Sequence, residues 1–337
     1  MKIKSIITII ILSIIGSPLL FAQRAPDMAS FDEGFACYTV NGKYGFLDKT
    51  GKMAIKAIYD YAGSFHEGLA LVKYQGLFGY IDKTGTFVIQ PQFPSADNFS
   101  EGYTSVLKDG KHGFINKEGV FVVEPQFDSA FSFSEGLAAV RIGKKWGYIN
   151  TQGTFAIPLK FDFALSFSEG LATVKVDEQW GYIDKSGTMV ISPQYKDTDS
   201  FKYDRATVKD EQGLAVIDKK GKLVFRLEYD TYFNFFFDGL LLSKKEGKYG
   251  YYNIDGQVAI PFIYDLAWLF SEGYALIRVE NKYGFINTKG EVVIAPQFED
   301  ACSFSDGAAA VKQNGKWGYI DTKGDFIIPP QFDRINW

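Results

Sequence analysis

Residues Ser132–Asp162 read SFSEGLAAVRIGKKWGYINTQGTFAIPLKFD, and residues Ser166–Asp197 read SFSEGLATVKVDEQWGYIDKSGTMVISPQYKD. Both stretches carry a Ser-Glu-Gly step, a Trp-Gly-Tyr triplet and an Asx-to-Gly turn at the same spacing. The first Gly of this pattern recurs at Gly34, Gly68, Gly102, Gly136, Gly170, Gly239, Gly273 and Gly307. The interval is 34 residues, except for 69 between Gly170 and Gly239, which holds two units with Asp204 in the Gly place. Nine units therefore run from near Phe31 to Trp337. Self-similarity at a fixed period of this length marks a repeat architecture.

Each repeated position has a physical reading. In the fourth unit, LAAVRI and KWGYIN are short apolar strands joined by a tight hairpin at Gly143-Lys144. Asn150 opens a turn that Gly153 closes with positive φ, and TFAI follows as a third strand. Pro158 ends the ladder, because proline has no N–H to donate. A unit reads as a three-stranded meander plus a turning segment, with room for a short helical turn in DSAFSF. Alternation along WGYIN puts Trp146, Tyr148 and Asn150 on one side and Gly147 and Ile149 on the other. The Ile149 side reads as core, and Gly147 leaves room for close approach of a neighbour. Phe133 and its equivalents plug the joint between units.

The N-terminus differs from the array. Lys2 and Lys4 precede an apolar run from Ile6 to Leu12, followed by Pro18 and Ala22. This is the pattern of a secretory signal peptide over residues 1–22, with cleavage before Gln23 and a short lead over 23–30. Residues 31–337 form the single array of nine repeats. Without Lys2 and Lys4, 34 basic side chains face 40 acidic ones, a balance that disfavours nucleic acid. Two cysteines, Cys37 and Cys302, do not make a disulfide scaffold. Stability must come from packing.

Units such as KWGYIDTKGDFIIPPQFD, Lys316–Asp333, resemble the WG-repeat family of bacterial exported proteins. Aromatic-Gly-aromatic, apolar, Asx, turn Gly and Pro-Gln-Phe recur in that order from Phe31 to Trp337. The resemblance implies β-rich tandem repeats without a shared catalytic activity. The sixth unit departs from the pattern: Leu214-Ala215-Val216 replaces aromatic-Gly-aromatic, and Tyr203-Asp204-Arg205 replaces Glu-Gly-Leu.

No catalytic site emerges from the residues. Acids precede eight of the nine first Gly positions, from Glu33 to Asp306. One acid per unit does not make a calcium loop, and the row reads as carboxylates accepting turn N–H groups or as a solvated row. His66 and His112 stand at repeat positions as single substitutions, and no metal or cofactor motif is present. Trp146, Tyr148, Trp180, Tyr182, Trp317 and Tyr319 read either as a second buried layer or as a stacking surface for a glycan or partner protein. The expected architecture is all-β, an elongated or superhelical β-solenoid, with a closed β-propeller-like ring as the alternative. Short ends (QRAPDMAS and RINW) argue for closure, whereas a 34-residue unit is tight for a four-stranded blade. The expected function is a non-enzymatic binding or scaffolding surface in the cell envelope, engaging a protein or a glycan. An enzyme would have to place its site in the degenerate sixth unit.

Overall fold

The computed structural model describes residues 30–227 and 235–332. The expected signal peptide and the terminal RINW lie outside them. Nine four-stranded antiparallel sheets follow one another, each built from consecutive strands. Blade 4 is representative, with strands Ser129–Ala130, Leu137–Ile142, Lys145–Asn150 and Phe155–Phe161. The three-stranded meander of the sequence reading is thus one strand short. DSAFSF holds the missing innermost strand and no helical turn. Four strands fit a short unit because this one has two residues and a single residue, such as Asp162, links one blade to the next.

The nine blades close into a β-propeller, which overturns the expected solenoid. Blade 9 meets blade 1 as any blade meets its successor. The Gly34 N–H donates to Asp306 Oδ2 at 2.5 Å. Lys49 pairs with the same carboxylate at 3.0 Å. Phe31 packs edge-on against Tyr319 with ring centroids 4.9 Å apart. The two chain ends share one core, in which Phe31 and Ala36 join Ala308, Ala310, Trp317, Tyr319 and Ile328. Among the described residues, no strand is exchanged between the first and last sheets.

Both faces of each blade are apolar. Ala139, Trp146, Tyr148 and Ile157 of blade 4 pack against Ala164, Phe167, Ala172, Val174 and Ile183 of blade 5. The opposite face of blade 4, with Phe133, Ala138, Val140 and Ile149, packs on Phe114, Val123 and Phe127 of blade 3. The recurring Phe is the plug expected from sequence: Phe133 lies 4.8 Å from Phe114, and Phe167 lies 4.9 Å from Tyr148. Burial of such a side chain contributes about 1.5–3 kcal/mol.

The turns match their sequence signals. Asn150 Oδ1 accepts the N–H groups of Gln152 and Thr154, and Gly153 has φ of 76°. Gly147 has a different reason for lacking a side chain. A Cβ there would lie 2.6 Å from the Ile157 carbonyl oxygen and within 3 Å of the Pro158 and Leu159 backbone. That approach is the bulge between the third and fourth strands.

Two outcomes check this architecture. Small-angle scattering of the monomer should give a radius of gyration of about 20 Å, the value for a compact chain of this length; a rod-like profile would refute the ring. Gly147→Ala should destabilise more than Gly136→Ala in urea melts. The second meets open space and strains only a positive φ, about 1 kcal/mol, whereas the first forces the bulge apart.

Candidate interaction surface

The turns joining strands one to two and three to four lie on one face of the ring, here the upper face. The other hairpins and the blade-to-blade links lie on the lower face. The Ser-Glu-Gly steps form two-residue turns in which both central residues have positive φ, 54° at Glu135 and 82° at Gly136. Both central N–H groups point out of the turn. In blade 4 they are taken by Glu101 of blade 3, at 2.6 Å from the Glu135 nitrogen and 2.9 Å from that of Gly136. Glu272 grips Asp306 and Gly307 the same way, also at 2.6 and 2.9 Å. Glu169 does so with Tyr203 and Asp204. Glu33, Glu67, Glu135, Asp238 and Asp306 each accept from the next blade's turn Gly, or from Gly34 across the closure.

The acidic row is therefore a ring of charge-assisted bonds between blades, the reading in which the carboxylates accept backbone N–H groups. Lysines from the next blade's Asx turn reinforce it: Lys83 on Glu33 at 3.1 Å, Lys117 on Glu67 at 3.0 Å and Lys185 on Glu135 at 3.0 Å. Burial pushes Glu67 and Glu135 up, but the lysine and turn N–H bonds outweigh it and hold both below the usual carboxylate range. Serines add a third link. Ser100, Ser134 and Ser168 donate to the carbonyls of Phe133, Phe167 and Phe201 in the following blades.

The lower face carries a second set of carboxylate links, at Asp60, Asp128, Asp162, Asp265 and Glu299, which the sequence reading missed. Asp128, at a blade link, accepts Lys111 Nζ of blade 3 at 2.5 Å and the Gly143 N–H of blade 4 at 2.6 Å. Asp162 repeats this with Lys145 and the Asp177 N–H. The signal was available in the acid that follows the aromatic residue ending the fourth strand, paired with a lysine 17 residues before it. The lysine bond first, then the N–H bond, depress the Asp128 pKa.

The six aromatic residues singled out from sequence do not form an exposed platform. Tyr148 and Tyr182 are 0% exposed, Trp146 and Tyr319 2%, and Trp317 4%. They are the second buried layer, filling the joints. Tyr148 Oη donates to the Leu165 carbonyl at 2.8 Å, and Tyr182 Oη to that of Asp199 at 2.7 Å. Trp180 alone is half-buried. It ends a run of rings through Phe131, Trp146 and Phe163, with centroid spacings of 5.2, 5.0 and 5.8 Å.

The other polar groups described here form local pairs. Ser105 Oγ lies 3.0 Å from His112 Nδ1 in blade 3. Burial first, then Arg141, lower the His112 pKa. In the sixth unit Arg226 binds Asp210 through two bonds, at 3.0 and 2.8 Å, and Arg205 reaches Asp255 at 3.1 Å. A cleft beside Asp199 and Thr207 has room for about one water, near 10 Å³. Closure brings the blades of Cys37 and Cys302 together, and the Cys37 thiol donates to the Ala62 carbonyl at 3.6 Å. Among the described residues, no cluster of His, Cys, Asp and Glu could hold a metal ion.

Asp97 and Asp199 occupy one repeat position, where blade 4 has Phe131 stacked on Trp146. Their blades carry His112 and Leu214 in place of that Trp. Burial pushes the two carboxyls up, to about 6 for Asp97 and about 7 for Asp199. The folded state prefers them protonated, so their cost is absent below the unfolded pKa near ~4 and complete above the folded one. Asp199→Asn keeps an acceptor for the Thr207 hydroxyl, which lies at 2.6 Å. It should raise stability by about 1–3 kcal/mol at pH 8 and hardly at all at pH 4. Thermal melts across that range check the sign.

Comparison with known proteins agrees with this geometry. The first solved structure, titled as a crystal structure of the eukaryotic initiation factor, superposes with a TM-score of 0.63 at 12% identity, covering 88% of this chain and 95% of that one. Kluyveromyces lactis Hsv2p matches at a TM-score of 0.40 and 11% identity, over 65% of this chain and 89% of its own. At such identities the first likeness shows a shared fold and nothing more. No curated protein sequence matches the chain. The model of the WG containing repeat matches nine times, over residues 44–77, 78–111, 113–146, 146–180, 180–212, 216–249, 249–283, 283–317 and 317–336. A blade is one such repeat read from a different starting point, and the chain belongs to the WG-repeat family.

Proposed function

We propose that this chain is an exported, non-catalytic ring that presents a binding or scaffolding surface to a protein in the cell envelope. One observation carries the reading. The repeated polar and aromatic residues, which would form any multiplied active site, are spent on holding blade to blade. Glu135 and Lys185 clamp a turn, Tyr148 bonds a carbonyl and Asn150 shapes its own loop. What remains for function is the non-repeated part of the surface. The basic and apolar N-terminal segment before Gln23 supports export, and the acidic balance of the mature chain speaks against nucleic acid.

A glycan is the second reading, favoured by the half-buried rings of Phe131, Phe163 and Trp180. Lys175 lies 5.9 Å above the Trp180 ring. Rings with cationic neighbours suit sugar stacking.

Two measurements test these statements. Intact mass of the protein recovered from the envelope or medium should correspond to a chain beginning at Gln23; a full-length cytoplasmic product would refute export. Immobilised mature chain should retain a defined protein from an envelope extract. Retention of cell-wall glycan alone, lost on Trp180→Ala, would favour the second reading instead.

A further inference from the structure

One of the nine blade joints lacks the carboxylate-to-turn bond that the other eight share. Tyr203 stands where a carboxylate should reach from blade 6 to the blade 7 turn. Ile254 stands where five of the other Asx turns carry a lysine and three a threonine. Lys202 stands where Ser100, Ser134 and Ser168 bond the next Phe carbonyl, a place that Asp32, His66 and Phe237 also take. The turn itself is unchanged. Asp238 and Gly239 have φ of 49° and 74°, and Phe237 pairs with Leu240 across them. Their two N–H groups form the same outward-facing notch that grips a carboxylate in blade 4. Among the described residues nothing accepts from either of them. The Asp238 carboxylate is engaged by Gly273 of blade 8 at 2.8 Å, and Asp204 is engaged by Lys219 at 2.6 Å.

We infer that the joint between blades 6 and 7 is a carboxylate-binding notch, in which Asp238 and Gly239 N–H groups take an acidic side chain or C-terminus of a partner polypeptide. The inference rests on the protein-binding reading above and locates its site. The ligand chemistry is dictated by the other joints, where the same backbone turn holds a carboxylate oxygen at 2.5–3.2 Å. Successive N–H groups in this conformation form an anion-binding concavity. The surroundings suit a peptide rather than a bare ion. Lys202 Nζ sits 4.5 Å above the Phe237 ring and offers a cation. Phe235, 39% exposed, and Tyr203, 40% exposed, offer apolar surface beside it. Elsewhere a serine or asparagine mostly fills the place of Phe235. Arg205, which donates to the Ile254 carbonyl at 2.9 Å and to Asp255, ties the two blades together and leaves the notch open.

The test uses the mature chain labelled with ¹⁵N-glycine. Three short peptides are titrated against the Gly239 amide resonance: one with a free C-terminus and no acidic side chain, one amidated with a single Glu, and one amidated with Gln in that place. Saturable downfield movement of Gly239 with either acidic peptide, and none with the Gln peptide, is expected. The arm that binds more tightly identifies the source of the carboxylate. Tyr203→Glu supplies the missing intramolecular carboxylate and should fold at least as stably as wild type. It should shift Gly239 downfield without peptide and weaken peptide binding at least tenfold. Lys202→Ser should weaken binding without moving the free Gly239 resonance. An unmoved Gly239 in wild type, or equal binding by Tyr203→Glu, would overturn the notch. If peptides bind there but no envelope protein is retained by the immobilised chain, the notch stands and the wider function fails. Envelope retention that survives Tyr203→Glu would place the partner elsewhere.

Discussion

A blade of this protein cannot leave either of its faces in water. On one side it carries residues such as Trp146 and Tyr148, on the other Phe133, Val140 and Ile149, and all of these are almost wholly buried. Two-sided burial is the constraint from which the ring follows. In an open array the first and last blades would each expose one such face. Closure instead sets the Trp317–Tyr319 side of blade 9 against Phe31 and Ala36 of blade 1. A few large side chains at about 1.5–3 kcal/mol each make that seam worth an appreciable share of a domain's net stability. Side-chain packing thus closes the ring among the described residues.

Hydrophobic burial is not directional, however, and something must fix the rotation between blades. The carboxylate bonds do this. A glutamate in the left-handed region is unfavourable, by about 1–2 kcal/mol, yet acids hold φ near 50° at the central turn position in eight blades. Asn or Gly would suit the backbone better. The acid is retained because its reach to the next blade's turn, as from Glu101 to Gly136, links eight of the nine joints. The links of Asp128 and its four equivalents pin the opposite face at five joints. Directional bonds on the two faces enclose an apolar wall between them.

Local structure was legible in the sequence because local chemistry dictates it. Asn150 and Gly153 specify their turn, Gly147 announces a close backbone approach, and Phe133 announces a plug. The innermost strand was not legible, since two residues such as Ser129 and Ala130 carry no period. Ring against rod was also not legible. It depends on the angle accumulated over nine joints, and no single residue encodes that sum. The aromatic residues misled for a related reason. Alternation separated Trp146 and Tyr148 from the Ile149 side correctly, but a strand whose two faces are both buried looks, in sequence, like one with a wet aromatic face. The open turn at Gly239 shows only once the partners of the other turns are known, because its signal is the Tyr203 that replaces an acid one repeat earlier.

Loss of the upper carboxylate bond is confined to one joint. Tyr203, Ile254, Lys202 and Phe235 all depart from the repeat at one joint, and Leu214 and Ala215 lie in the blade beside it. A ring confines the consequence, because each blade touches only its neighbours. The joint between the chain ends keeps its full set of bonds, with Asp306, Lys49 and Phe31 in place. It is the covalently continuous joint between blades 6 and 7 that has lost them. The chain itself limits how far those two blades can separate, and Arg205 adds a bond of its own across the gap. A joint secured in this way is where a closed ring can give up repeated contacts and leave turn N–H groups free at the least risk to closure.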